Sequence, residues 1–180
     1  MSLAELVDIS RRVGEDPEWV LAGGGNTSFK DEQFLYVKAS GYQLATITED
    51  GFARMDRARL QAIWDKEYPT DVPQREATAL DDLMAARVPG EERRPSVETL
   101  MHELFPFSFV IHTHPAIVNG LTCSQDGAAM TPELFGGRAL WMPVVNPGYV
   151  LAVRMREAAD RYATQHGAFP QIVLIQNHGL

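Results

Sequence analysis

The stretch Phe107-Ser108-Phe109-Val110-Ile111-His112-Thr113-His114-Pro115 reads as a strand that ends on two histidines. Aromatic and β-branched residues dominate it up to His112, and Pro115 suits the first turn of a following helix. Side chains two apart on a strand share a face, so His112 and His114 can offer two imidazoles to one metal ion. Sites on α/β sheets gather at such strand ends. Read alone, the pair fits two histidines making ordinary hydrogen bonds better than it fits a metal site.

Upstream, Ser96 is placed to cap a helix whose inner stripe is Val97, Leu100, Met101 and Leu104. Glu98 falls in its first turn, where the helix dipole favours a carboxylate, and shares a face with His102 at i, i+4 spacing. Glu98 is the candidate acid/base, against the plainer reading of a solvated first-turn glutamate. Downstream, Leu151 to Gln165 is helical with Gly167 as its stop. Gln171-Ile172-Val173-Leu174-Ile175 is then a nearly continuous apolar strand, expected to be central. It runs into Asn177-His178-Gly179, so a third histidine sits at a strand end. Three protein ligands with an open position are the usual catalytic zinc set. His102 and His166 read as structural, His102 within a helix and His166 near a helix C-terminus.

The rest of the chain alternates helical and extended patterns, as a layered α/β domain does. Ser2 and Glu5 form a capping box for an N-terminal helix carrying Leu3, Leu6 and Val7. Phe34 to Val37 and Leu44 to Thr48 are expected strands. Helices are expected after Asp56 and over about 74–87, a short one is expected to start at Thr131-Pro132-Glu133, and Trp141 to Val145 is expected to be extended. Gly23-Gly24-Gly25-Asn26-Thr27-Ser28 can present backbone N–H groups and neutral donors to an anion, or be a plain Gly-rich turn. It has neither dinucleotide nor Walker spacing. Ser40-Gly41 and Ser96 offer further donors.

At 180 residues one domain, 1–180, is expected, and 45% hydrophobic residues suffice for a core. No apolar run reaches a membrane span, and no secretory leader is read at the N-terminus. A single cysteine, Cys123, precludes an internal disulfide, so a cytoplasmic home is expected. A net charge of −8 argues against nucleic-acid binding by a basic surface.

Taken together, Gly24-Gly25-Asn26-Thr27-Ser28, Lys38-Ala39-Ser40-Gly41, Pro95-Ser96-Val97-Glu98, His112-Thr113-His114-Pro115 and Asn177-His178-Gly179 resemble, in order, the motifs of the class II aldolase/adducin superfamily. Leu44-Ala45-Thr46-Ile47 and Gly51-Phe52 bring the resemblance nearest to the aldolase part of bifunctional rhamnulose-1-phosphate aldolase/alcohol dehydrogenase proteins. The resemblance implies a three-layer α/β/α sandwich around a largely antiparallel, mixed sheet. It implies a homo-oligomer, usually a tetramer, and a lyase cleaving a ketose 1-phosphate such as rhamnulose- or fuculose-1-phosphate to dihydroxyacetone phosphate and an aldehyde. Sugar-phosphate epimerases and dehydratases, and non-catalytic adducin-like domains, share the pattern.

By the same resemblance His112, His114 and His178 bind zinc or another divalent ion, and Glu98 is the acid/base, a role expected to need a carboxyl pKa raised by burial and its neighbours. Gly25, Asn26, Ser40, Gly41 and Ser96 hold the substrate phosphate. Two departures stand out. Val97 occupies a position where the family often has a hydroxyl, and family members run on past Asn-His-Gly, so the family's C-terminal segment is expected to be lacking here.

Overall fold

The computed structural model describes residues 2–180. Helix α1 (Leu3–Gly14) starts where the Ser2 hydroxyl accepts from Glu5 N–H, and its last turn carries Arg11 and Arg12. Three antiparallel strands follow: β1 (Asn26–Lys30), β2 (Phe34–Lys38) and β3 (Phe52–Asp56). Asp56 caps α2 (Arg57–Trp64), and Asp71 caps α3 (Val72–Ala85). Then come α4 (Thr99–Leu104), β4 (Phe109–His112), α5 (Ala116–Thr122), α6 (Gly127–Phe135), β5 (Ala139–Met142), α7 (Tyr149–His166) and β6 (Ile172–Ile175).

The strands form a four-stranded antiparallel sheet, β3-β2-β1-β4, and a two-stranded parallel pair, β5-β6. Layers lie on both faces of the larger sheet, because alternate side chains of β1 serve different partners. Thr27 and Phe29 face α1: the Thr27 hydroxyl meets that of Ser10 at 2.7 Å, and Phe29 packs with Leu6, Val20, Leu44, Ile47 and Phe52. Asn26, Ser28 and Lys30 face α4. The main core, under α2, α3, α4 and α7, is built on Leu35, Val37, Met55, Leu60, Leu100, Leu151 and Met155. This is the mixed α/β sandwich expected.

Four local expectations are corrected. Leu44–Thr46 is a 3-10 turn rather than a strand; Leu44 and Ile47, three apart, are both buried, which a 3-residue period allows and strand alternation does not. The helix read as starting at Thr131 begins at Gly127 and carries Pro132 inside it. The helix read from Ser96 begins at Thr99, leaving Val97 42% exposed instead of in the inner stripe. And β6 is not interior to one sheet: it is paired along one edge to β5, its register set by Ala139↔Ile172 through Met142↔Ile175.

Candidate metal centre

The site forms where β4 ends beside the turn after β6. His112 is the last residue of β4, and Asn26↔His112 is the end pair of the β1–β4 ladder. After β6 the chain turns sharply: Asn177 is left-handed (φ 57°) and Gly179 bridges back to Ile175. A Cβ on Gly179 would stand 2.6 Å from both Thr113 O and the His114 ring, so glycine alone allows this turn to pack against β4. Leu180 and Thr113 exchange both backbone hydrogen bonds at 3.0 Å, locking His178 beside the His-Thr-His run.

The three imidazoles converge. His112 Nε2 lies 3.0 Å from His114 Nε2 and 3.2 Å from His178 Nε2, and the ligand atoms of all three fall within 4.8 Å of one another. His112 Nδ1–H donates to Leu180 O at 2.8 Å, which fixes the tautomer and leaves its Nε2 with a lone pair aimed at the centre. Burial first, then the neighbouring imidazoles, depresses the His112 pKa to about 4, so the ring is neutral at pH 7 as a metal ligand must be. Three imidazole nitrogens meeting at one point fit a zinc-type ion in number and donor type.

Glu98 stands against this centre, its Oε1 3.2 Å from His178 Nε2 and 3.7 Å from His112 Nε2. It occupies the N-cap position of α4 but makes no cap bond with its side chain. The cap role falls partly to Ser96, whose hydroxyl accepts from Glu98 N–H at 3.2 Å. Asn26 Nδ2 donates to Glu98 Oε2 at 2.6 Å.

Burial raises the carboxyl pKa, but hydrogen bonds from His178 and Asn26 and the charge assigned to His112 outweigh it and bring it down to about 2. A His112 that is neutral above about pH 4 lends no charge at pH 7, so there the hydrogen bonds do the holding. Glu98 is thus ionised, contrary to the raised pKa expected, because its buried oxygens face donors rather than hydrocarbon.

The Asn26 carboxamide is committed on both sides, to Glu98 and, through Oδ1, to His102 Nε2, so its side chain brackets the carboxylate. His102 is fully buried, its Nδ1 2.8 Å from Ser28 Oγ. Sequence reading placed His102 as structural and missed that it orients Asn26. The signal was present in Asn26, Ser28 and Lys30, three polar residues alternating on a strand that is buried throughout.

Ser40, Gly41 and Ser96 lie together. Ala39 bridges Pro95, Ser40 N–H donates to Arg94 O, and Ser40 Oγ donates to Pro95 O at 3.4 Å, which sets Ser40-Gly41 beside Ser96. Gly25 is left-handed (φ 69°), and a Cβ there would stand 2.8 Å from His112 O, so the glycine loop touches the metal strand through its backbone.

Residues 4–180 match the family model described as Class II Aldolase and Adducin N-terminal domain. The chain belongs to this class II aldolase and adducin family. Within the family, it superposes on the N-terminal class II aldolase domain of a conserved protein from Thermoplasma acidophilum with a TM-score of 0.78 and 28% identity, over 99% of this chain and 82% of that one. An L-fuculose 1-phosphate aldolase shares the fold at a TM-score of 0.60 and 20% identity, over 98% and 72% of the two chains. The chain is 29% identical to the Bacillus subtilis (strain 168) protein named "Uncharacterized oxidoreductase YuxG", over 98% of its own length and 25% of that protein's. It therefore spans about a quarter of that curated relative.

Proposed function

We propose that this class II aldolase-family chain is a metal-dependent lyase that cleaves a ketose 1-phosphate, of the rhamnulose- or fuculose-1-phosphate kind, to dihydroxyacetone phosphate and an aldehyde. The observation that carries the reading is the ionised Glu98 carboxylate 3.2 Å from a histidine of a three-histidine cluster. His112, His114 and His178 would hold zinc or another divalent ion, which when bound supplies a Lewis acid for negative charge developing on substrate oxygens. Glu98 does the proton chemistry. Being ionised, it begins as the base in the condensation direction, taking a proton from the hydroxymethyl carbon of dihydroxyacetone phosphate; in cleavage it takes up the proton released from the substrate's C4 hydroxyl as the C3–C4 bond breaks and delivers it to the enediolate carbon, which leaves the carboxylate ionised again. Asn26 and His102 keep the carboxylate aimed. Gly25, Ser40, Gly41 and Ser96 would receive the phosphate through backbone N–H groups and hydroxyls.

A sugar-phosphate substrate, a homo-oligomeric assembly and a cytoplasmic setting belong to the same proposal. Among the described residues no helix is long and apolar enough to cross a membrane. The oxidoreductase named among the relatives is four times as long, and no hydride transfer is assigned to this domain. The test is incubation of zinc-loaded protein with each sugar phosphate, with products identified by mass and NMR. Dihydroxyacetone phosphate is expected, and Glu98→Gln lowers its formation by about 10²–10⁴-fold with metal retained. An epimer or a dehydrated product would reassign the reaction; no product from either substrate would remove it.

A further inference from the structure

Behind Glu98 runs a row of buried hydrogen-bonding groups that ends at Ser28. Asn26 and Ser28 lie two apart on β1, so both meet the His102 ring on its α4-facing side. Ser28 and His102 are fully enclosed and Asn26 is 5% exposed, so none of them can exchange a protein partner for water. Ser28 Oγ meets His102 Nδ1 at 2.8 Å, His102 Nε2 meets Asn26 Oδ1, and Asn26 Nδ2 meets Glu98 Oε2 at 2.6 Å. No other partner reaches Ser28 Oγ or either nitrogen of the His102 ring among the described residues.

Elimination fixes which atom donates. A carboxylate only accepts, so Asn26 turns Nδ2 to Glu98 and Oδ1 to the ring. Oδ1 only accepts, so a neutral His102 carries its proton on Nε2 and leaves Nδ1 bare. Bare Nδ1 takes the one proton that Ser28 has, and every group in the row is then satisfied. The reverse setting exists only when Glu98 Oε2 holds a proton: Asn26 turns over, and His102 protonates at Nδ1 and donates to Ser28 Oγ. That setting strands the Ser28 hydroxyl proton in an enclosed site with no second acceptor, and a buried unpaired donor is unfavourable.

We propose that Ser28 is a positioning residue: its hydroxyl holds His102 in the Nε2–H form and so stops the Asn26 carboxamide from turning over while Glu98 carries a proton. The use of this lock rests on the lyase reading; its wiring does not. In either direction of the reaction the proton that Glu98 takes up bonds to Oε1, the oxygen 3.2 Å from His178 Nε2, while Oε2 keeps its hydrogen bond from Asn26. The proton therefore leaves again from Oε1, on the side of the three histidines. Without Ser28 it can retire to Oε2 behind a turned Asn26, away from the substrate.

Heteronuclear NMR of metal-free protein labelled at its histidine nitrogens reads the His102 tautomer directly. Glu98→Gln supplies a side chain that, like the protonated acid, can turn either an acceptor or a donor to Asn26. The expected result is Nε2–H alone in the wild type and in Glu98→Gln, and a mixture of Nε2–H and Nδ1–H in Glu98→Gln combined with Ser28→Ala. Ser28→Cys in place of Ser28→Ala keeps the volume and a weaker donor, and should give a smaller Nδ1–H share. A wild type protonated at Nδ1, a mixture already in Glu98→Gln, or Nε2–H alone in both double variants would each overturn the proposal. In zinc-loaded protein assayed for aldol cleavage, Ser28→Ala should lower kcat by about threefold or more with KM and bound zinc unchanged, and Ser28→Cys should fall between. A wild-type kcat in Ser28→Ala would overturn the use assigned to the lock. No cleavage by the wild type would remove the lyase reading and that use with it, while the histidine spectra would still decide the wiring.

Discussion

Acid should destabilise the metal-free domain between pH 6.5 and 5, before most carboxylates titrate, because two histidines are buried neutral. Burial is the leading cause at both, depressing His102 from 6.5 to about 3 and His112 from 6.5 to about 4. The unfolded chain binds these two protons near pH 6.5 while the folded one refuses them, so the unfolded state gains protons as pH falls and stability drops. The stability is fully present above pH 6.5 and is lost progressively down to the folded values. At about 1.4 kcal/mol per pH unit, each histidine removes about 2 kcal/mol by pH 5, and the pair about 4 kcal/mol. That is a large share of a typical 5–15 kcal/mol total. Urea unfolding of zinc-free protein at pH 8 and pH 5, followed by circular dichroism, measures it. His102→Gln lowers stability at pH 8 but halves the difference between the two pH values. A wild-type loss below about 1 kcal/mol, or an undiminished difference in His102→Gln, would refute the reasoning that these rings are held neutral by burial.

His112→Ala should cut bound zinc well below one equivalent by elemental analysis while far-UV circular dichroism shows a folded domain, since a strand-end ligand is not the core. Asn26→Ala withdraws the 2.6 Å donor from Glu98 Oε2 and should move the acid limb of the activity profile to higher pH, because a carboxylate loses a hydrogen bond that favours its charged form. Gly25→Ala should lower stability by about 1–3 kcal/mol in chemical denaturation, combining a left-handed backbone with a Cβ 2.8 Å from His112 O.

The parts of the site written in local spacing were legible in the sequence. His112 and His114 lie two apart on a strand, and His178 directly follows an apolar run, so their common end position follows from period and polarity alone. Glu98 was identified by resemblance more than by pattern: periodicity gives a first-turn glutamate, and the chain gives it a cap position with its carboxylate turned away from the helix. The use of Asn26 was not legible, because its partners are 72 and 76 residues away and only the β1–α4 packing joins them. The apolar run Ile172–Ile175 signalled burial correctly at Leu174 and Ile175, but hydrophobicity does not say which edges of a strand are paired. Leu44 and Ile47 show the reverse error, in which a short apolar stretch was given a strand's period although three-residue spacing tucks both under α1.

The short helix that carries Glu98 has a further consequence. Six residues make too few intrahelical bonds to persist alone, so α4 borrows its form from the strand beneath it. Lys30 Nζ grips the carbonyls of His102 and Glu103, Ser28 holds the His102 ring, and Asn26 holds both that ring and the Glu98 carboxylate. Three alternate residues of β1 thus act as the teeth of a rack, and α4 cannot slide by one without disengaging all of them. The placement of the Glu98 carboxylate is therefore inherited from a strand's fixed pitch rather than from a helix's stiffness. Retuning its reach for a differently shaped substrate would be done by changing the teeth, and insertions in the loop before Pro95 would leave it where it is.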